Sequence, residues 1–249
     1  MPTLILTPRF IEDSQALWRA AGLRGWGIER LTSWRVPNEL LSVQEPVFYL
    51  ESLFGPTIAE QFGYRMFEPP DDWLPRLPID FRKRTVSLMS LDEARRIEGK
   101  AFIKPANDKS FPARVYAACE LPEGYDSDSP VLVSQIVEWK KEFRCFILDR
   151  RLMTSSIYLR DGVLQRENGF ATHVDELREL TAFVETILSD DRVEFPRTAV
   201  MDVGVIKGAG WAVVEQNSAW GAGIYGCDPH AVLDVLRYAV LPLSRSSDS

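Results

Sequence analysis

The chain has 249 residues, of which 45% are hydrophobic, 26% charged and 11% aromatic. These proportions suit a globular protein and exclude collagen-like, disordered and disulfide-stapled chains. A net charge of -7, from 36 acidic against 29 basic residues, speaks against a chain that coats nucleic acid with a basic face, while leaving room for a local basic cleft.

The length accommodates one large domain or two small ones. Cys119, Cys145 and Cys227 are odd in number and show no paired spacing. Neither a disulfide framework nor a zinc knuckle is expected, and reduced thiols in a cytoplasmic setting are the reading that follows. Residues 1–8 have no basic start and only a short apolar run, so no signal peptide is expected. Apolar stretches fall far short of the roughly 20 residues of a membrane span, so no membrane partner is expected.

In chain order, residues 4–6 read as a strand and residues 14–21 as a helix, with Ala16, Leu17, Ala20 and Ala21 at helical spacing and Gly22 near its end. Residues 28–31 and 46–50 are further strands, and residues 54–62 a helix followed by residues 64–67. Strand and helix in alternation predict a small α/β layer. Residues 69–78 carry four prolines and are expected to form neither helix nor central strand. They mark a boundary between residues 1–75 and a strand-rich second part, residues 76–249.

Strands are expected there over residues 85–89, 101–104, 113–119, 131–137, 142–148, 152–158, 199–206 and 211–216. A helix is expected over residues 175–188, with Leu177, Leu180, Thr181, Val184 and Leu188 on one stripe. Another starts at Asp228-Pro229, a capping acid before a first-turn proline, and carries Val232, Leu233, Leu236 and Val240. The polar tail, residues 244–249, is expected to fray.

Three clusters carry chemistry. Residues 201–217 read as a β-hairpin with Gly208-Ala209 at the centre of a glycine-first tight turn. Symmetric pairing about that centre sets Asp202 opposite Glu215, about 5 Å apart, where like charges repel. The period of two puts Asn217 on the same face. Such an oxygen-rich spot suits a hard cation such as Mg2+. The alternative is an exposed hairpin whose acids splay into solvent, which Trp211, Val213 and Val214 oppose.

In the second cluster, Lys104 ends an apolar strand and is followed by Asn107, Lys109 and Ser110 before the next strand. A lysine there is costly to desolvate without an anionic partner. The loop is suited to closing over polyphosphate, with Lys104 as a fixed charge; the alternative is a lysine snorkelling to the sheet edge. In the third, a strand ends near Gln135 and another starts near Glu142, which shares a face with Arg144. That pair is either a surface ion pair worth under about 1 kcal/mol or the lining of a nucleotide cleft.

Taken in order, these clusters resemble the ATP-grasp superfamily: a lysine at a strand end, a phosphate-covering loop, an adenine hinge, and a late Asp…Glu-x-Asn metal set. Here those elements fall on Lys104, Lys109-Ser110, residues 135–138 and Asp202…Glu215-Gln216-Asn217. The spacing from Gln135 to Glu142 is similar to that between hinge and ribose-binding acid in D-alanine–D-alanine ligases. Glu142-Phe143-Arg144 with later Tyr158 and Arg160 resembles the clade distinguished by two arginines and a lysine.

The resemblance spans roughly residues 82–228. It implies an ATP-grasp-like α+β nucleotide-binding and catalytic domain over residues 76–249, behind an amino-terminal α/β domain over residues 1–75. It further implies ATP- and Mg2+-dependent joining of a carboxylate to an amine through an acyl phosphate, on a small-molecule, peptide or protein substrate. Lys104 and Arg144 would hold phosphates, with Arg160 a further catalytic contact and Lys109 and Arg84 further phosphate or substrate contacts. Gln135, Ile136, Val137 and Glu138 would hold adenine, Glu142 the ribose, and Asp202, Glu215 and Asn217 the metal.

Two departures stand out. The loop at residues 106–111 has no glycine, and Val200 stands two residues before Asp202 where several ligases have an arginine. The glycine-rich residues 218–225 match no substrate pattern. Phosphoryl transfer to another acceptor and a non-catalytic nucleotide-binding module are the rival readings. A Cys227–His230 nucleophile pair is disfavoured, since His230 opens a helix and Cys227 reads as a packed residue; His173 reads as a capping or surface residue.

Overall fold

The computed structural model describes residues 1–243; the tail expected to fray lies outside the described residues. The amino-terminal elements are β1 (Thr3–Leu6), α1 (Glu12–Leu23), β2 (Gly27–Arg30) and β3 (Pro46–Tyr49), forming a parallel sheet of order β2-β1-β3. Leu4, Ile5 and Leu6 are all fully buried, as a central parallel strand covered on both faces requires. α2 (Gly55–Gln61) and β4 (Tyr64–Met66) follow.

The proline-rich stretch is not free of helix. It contains single turns α3 (Trp73–Arg76) and α4 (Ile79–Arg82). Pro75 is tolerated because it stands in the first turn of α3, where a backbone N–H has no intrahelical partner to lose. Trp73 anchors that turn, its Nε1 donating to the Glu194 carbonyl at 2.7 Å.

Next come β5 (Val86–Ser90), α5 (Leu91–Ala94), β6 (Lys100–Pro105), β7 (Arg114–Ala117) and β8 (Pro130–Ser134), an antiparallel sheet of order β5-β8-β6-β7. The strand expected to run to residue 137 stops at Ser134, and residues 135–138 link this sheet to the next. That larger sheet has the order β11-β10-β9-β12-β13. Its strands are β9 (Trp139–Leu148), β10 (Arg151–Arg160), β11 (Val163–Leu164), β12 (Thr198–Ile206) and β13 (Gly210–Asn217), all antiparallel to their neighbours. α6 (Val174–Ser189) lies on one face and buries Leu180, Val184, Ile187 and Leu188. His173 caps it, its side chain accepting from the Asp175 N–H.

α7 (Pro229–Leu236) ends sooner than its apolar stripe suggests, because Val240 belongs to β14 (Val240–Pro242), which pairs with β4. α7 shares one hydrophobic cluster with the parallel sheet, where Val232, Leu233, Val235 and Leu236 pack among Leu4, Leu17, Phe48 and Ile58. The core of that sheet is therefore not built by residues 1–75 alone. Four such buried side chains contribute roughly 1.5–3 kcal/mol each. Among the described residues, no helix is long and apolar enough to cross a membrane.

Asp228 caps α7 by accepting from the His230 N–H at 3.1 Å. Asp228→Ala is expected to lower the unfolding free energy by about 1 kcal/mol, the usual worth of such a cap. Urea denaturation followed by tryptophan fluorescence measures this, and a change within error would show that packing alone fixes the helix start.

Candidate active site

The hairpin of β12 and β13 turns differently from the expected two-residue turn. Ile206 pairs with Gly210, Gly204 with Ala212 and Val203 with Val213, so the turn is three residues long and centred on Gly208. Gly208 and Gly210 both adopt positive φ, 79° and 84°, which glycine alone takes without strain. Continued unbroken, that register would set Asp202 opposite Val214. A bulge between Asp202 and Val203 adds one residue to β13, and Asp202 stands opposite Glu215 after all.

Asp202, at 0% exposure, is flanked by Arg144 on β9 and Glu215 on β13. Arg144 grips it with two hydrogen bonds, Nε to Oδ1 at 2.9 Å and Nη2 to Oδ2 at 2.6 Å, and its Nη1 donates to the Gly223 carbonyl at 2.8 Å. Lys104, at the end of β6, forms an ion pair with Glu215. Asn217 bridges the acids, its Nδ2 lying 2.9 Å from Glu215 Oε1 and 3.4 Å from Asp202 Oδ2. All three expected metal residues therefore meet, and both expected phosphate cations stand on them.

Burial pushes the Glu215 carboxyl up, but Lys104, Asn217 and Arg144 together hold it down at about 2. Complete burial likewise pushes Asp202 up, against the pull of Arg144. Arg144 is itself desolvated, yet Asp202 holds it above the ordinary arginine range and it stays charged.

Glu142, two residues before Arg144, accepts from the Tyr158 hydroxyl at 2.9 Å. Burial raises its carboxyl to about 7, Tyr158 opposing the rise and the charges of Asp202 and Glu215 adding to it. Tyr158 stacks on Tyr225 with ring centroids 5.2 Å apart, and the Arg144 guanidinium lies 5.4 Å and 4.8 Å from those two rings. Tyr225 comes from the glycine-rich segment that sequence reasoning left unread. Gly204 was also missed: a side chain there would meet the Lys141 carbonyl and the Trp139 ring. A glycine inside a strand was the available signal.

Arg160 does not join the cluster. A bulge in β10 between Ile157 and Leu159 sets Leu159 opposite Glu142 and Arg160 opposite Lys141. That moves Arg160 to the α6 face, where Nη1 and Nη2 hold the two Glu176 oxygens at 2.8 Å and 2.5 Å. Lys141 joins the same carboxylate at 3.2 Å. A period of two counted without the bulge places Arg160 on the wrong side.

Arg84 is buried beside β13, bonded to backbone carbonyls and Ser134. Lys109 is exposed in a loop closed by side chains: Ser110 N–H donates to Asp108 at 2.8 Å, and Phe111 packs against Tyr116 and Tyr125. Gln135 pairs its N–H with the Thr85 carbonyl at 2.9 Å. Ile136 is exposed and Val137 half-buried, while Glu138 is tied to Lys207 at 2.8 Å. Cys227 and His230 form no nucleophile pair. The Cys227 thiol lies 3.3 Å from Ser156 Oγ and is pushed up to about 12 by burial, and His230 accepts from Arg24.

Two carboxylates and an amide are hard oxygen donors of the kind Mg2+ takes, provided that the Asn217 amide turns its oxygen inward. At present Lys104 neutralises Glu215 and Arg144 neutralises Asp202. A metal ion at these acids therefore fits together with an anion that draws Lys104 away, as a polyphosphate would.

Residues 81–235 match the family model of an ATP-grasp domain, family 2 of the clade distinguished by two arginines and a lysine. Among solved structures, the D-cycloserine synthetase DcsG is similar at 13% identity and TM-score 0.63, over 95% of this chain and 99% of that one. The macrocyclase MdnC bound with precursor peptide MdnA, from Microcystis aeruginosa MRC, is similar at 10% identity and TM-score 0.54, over 95% and 99%. The D-alanine–D-alanine ligase from Bacillus anthracis is similar at 13% identity and TM-score 0.53, over 96% and 97%. At these identities the likeness is one of fold. No curated protein matches the chain.

The Glu142 carboxyl binds its proton more tightly folded, at about 7, than at its ordinary value of 4.5. Its contribution to stability is full below pH 4.5 and is lost as pH rises through 7. Between those values the slope approaches about 1.4 kcal/mol per pH unit. Urea denaturation of wild type and Glu142→Gln at pH 5 and pH 8 is expected to show a larger loss on the alkaline side for wild type. Parallel losses would mean that Glu142 is ionised throughout.

Proposed function

The chain belongs to the ATP-grasp superfamily, in family 2 of the clade with two arginines and a lysine, and on that footing we propose that it is an ATP- and Mg2+-dependent ligase joining a carboxylate to an amine through an acyl phosphate. The observation that carries the reading is the unbroken run Lys104–Glu215–Asn217–Asp202–Arg144, drawn from β6, β13, β12 and β9 onto one spot. It sets three potential oxygen ligands between two cations, an arrangement suited to a metal polyphosphate.

Lys104 would exchange Glu215 for phosphate, freeing that carboxylate. Glu215, Asn217 and Asp202 would hold the metal, with Arg144 keeping Asp202 oriented through its two hydrogen bonds. Bound Mg2+ supplies charge neutralisation at the transferring phosphoryl group. Glu142 accepts from the ribose, and Gln135 with the Ile136 and Val137 backbone borders adenine on the link between the two sheets. Catalysis by these residues is positioning and electrostatic stabilisation. The acceptor is a small molecule, a peptide or a protein. Product analysis decides the chemistry: an amide with ADP supports the proposal, whereas a phosphorylated acceptor or no turnover overturns it.

Glu215→Gln is expected to abolish turnover while leaving the fold intact. Wild type is expected to melt at a higher temperature in Mg2+-ATP, by mass action; an unmoved melting temperature would refute nucleotide binding.

Lys104→Ala is expected to weaken ATP and leave adenosine unchanged, since the lysine meets phosphate and not base. A charge-assisted contact is worth about 1.5–3 kcal/mol, or roughly ten- to a hundredfold in affinity. Glu142→Ala is expected to weaken adenosine and ATP by similar factors, because the ribose is common to both. Calorimetric titration measures all four. ATP bound equally by Lys104→Ala and wild type would confine Lys104 to its ion pair with Glu215.

A further inference from the structure

β13 is the outer strand of its sheet, so carbonyls on its far edge have no ladder partner. In a regular strand successive carbonyls point to opposite edges. At the bulge they do not. The carbonyls of Val213 and Val214 both meet the Arg84 guanidinium, Nη1 at 2.6 Å and Nη2 at 2.9 Å. Each peptide's N–H points opposite to its C=O, so the N–H groups of Val214 and Glu215 both turn toward β12. This is the arrangement that sets two residues of β13 against Asp202 alone.

Arg84 is itself firmly placed. Its Nε donates to Ser134 Oγ at 3.2 Å, Nη1 also reaches the Arg82 carbonyl at 3.0 Å, and the guanidinium lies 5.0 Å from the Trp139 ring. It is 6% exposed, and no carboxylate is within ion-pair distance of it among the described residues. Burial lowers its pKa to about 10, which leaves it charged at neutral pH. A guanidinium is suited to the task because its planar fork presents two parallel donors, which an ammonium does not.

The register at stake is functional. A one-residue slip sends every side chain of a strand to the other face. Without the bulge Val214 would oppose Asp202, and Glu215 and Asn217 would leave the site. We infer that Arg84 is a positioning residue: by holding the Val213 and Val214 carbonyls it locks the bulge and keeps Glu215 and Asn217 on the face of Asp202, and it is not a phosphate contact. This rests on the proposed role of those three residues as the metal set.

The test compares wild type, Arg84→Met and Arg84→Lys by hydrogen exchange without ligand, and by calorimetric titration with adenosine and with ADP, with and without Mg2+. In Arg84→Met the amides of residues 213–217 are expected to exchange about tenfold faster or more, while β9 and β10 keep their protection. Adenosine and metal-free ADP are expected to bind within about twofold of wild type. The gain that Mg2+ brings to ADP affinity is expected to fall about tenfold, the order of one lost charge-assisted contact. Arg84→Lys should fall between, since one donor direction survives.

Loss of metal-free ADP affinity with unchanged exchange at residues 213–217 would overturn the inference and make Arg84 a phosphate contact. A uniform rise in exchange across the sheet would overturn it too, reducing Arg84 to general stability. Where Arg84→Met does not fold, Ser134→Ala, which removes the Nε partner, is read by the same measurements. If wild type binds neither adenosine nor ADP, the functional reading has failed. The exchange measurement then still decides the bulge: local acceleration supports the lock and unchanged protection refutes it.

Discussion

The site is organised around the buried pair of Arg144 and Asp202. Taking two charges out of water costs several kcal/mol per ion, and attraction offsets this only where geometry is good and the remaining donors and acceptors are satisfied. Both conditions hold. Two parallel hydrogen bonds join the pair, Nη1 of Arg144 finds the Gly223 carbonyl, and Asn217 reaches Asp202 from β13. Because the partners stand directly opposite each other on β9 and β12, the pair fixes which face of the sheet is polar. Glu142 and Glu215 inherit their positions from that choice. The glycine-rich segment inherits its own, since Arg144 holds Gly223 and lies beside the stacked rings of Tyr158 and Tyr225.

Charge balance follows from the same geometry. Lys104 and Arg144 set two cations against the carboxylates of Glu215 and Asp202, so the innermost charges balance in pairs. Arg84 lies beside them but turns its donors onto backbone carbonyls. Basic groups are thus gathered at this spot in a chain of net charge -7. An overall acidic composition says nothing against a polyanion site when the basic groups are gathered into a low-dielectric cleft, where their field is least screened. On the proposed reading, the Lys104–Glu215 pair would make metal and polyphosphate mutually supportive, because whatever draws Lys104 away bares the carboxylate that a cation needs.

The layers of the fold were legible because they rest on local patterning. The apolar run at residues 4–6, the stripe of α6 and the Asp228-Pro229 start of α7 each carry their own signal. What α7 covers was not legible. Its apolar stripe announces burial without naming the partner, and the partner is a sheet some two hundred residues earlier in the chain. The turns in the proline-rich stretch were hidden for another reason: proline excludes helix interiors, and a helix of one turn has no interior.

The site was legible as far as the period of two could be trusted, and bulges set that limit. Asp202, Glu215 and Asn217 were placed together from a two-residue turn, whereas the hairpin has a three-residue turn and an added residue at Val214. Those two departures cancel, so the face came out right for an incomplete reason. In β10 the bulge between Ile157 and Leu159, the second of two in that strand, shifts the last residues by one, and Arg160 crosses to Glu176 on α6. Neither bulge carries a proline or glycine to betray it. Each is instead accompanied by long-range charged contacts, Arg84 on the carbonyls of β13 and Glu176 on the Lys141–Arg160 pair. A strand's register is therefore a tertiary property wherever side chains from outside the sheet can fill its broken ladder. The identity of the residues in this site is written in the strands, but the face that Glu215 and Asn217 occupy is coupled to Arg84, far from the hairpin in the chain.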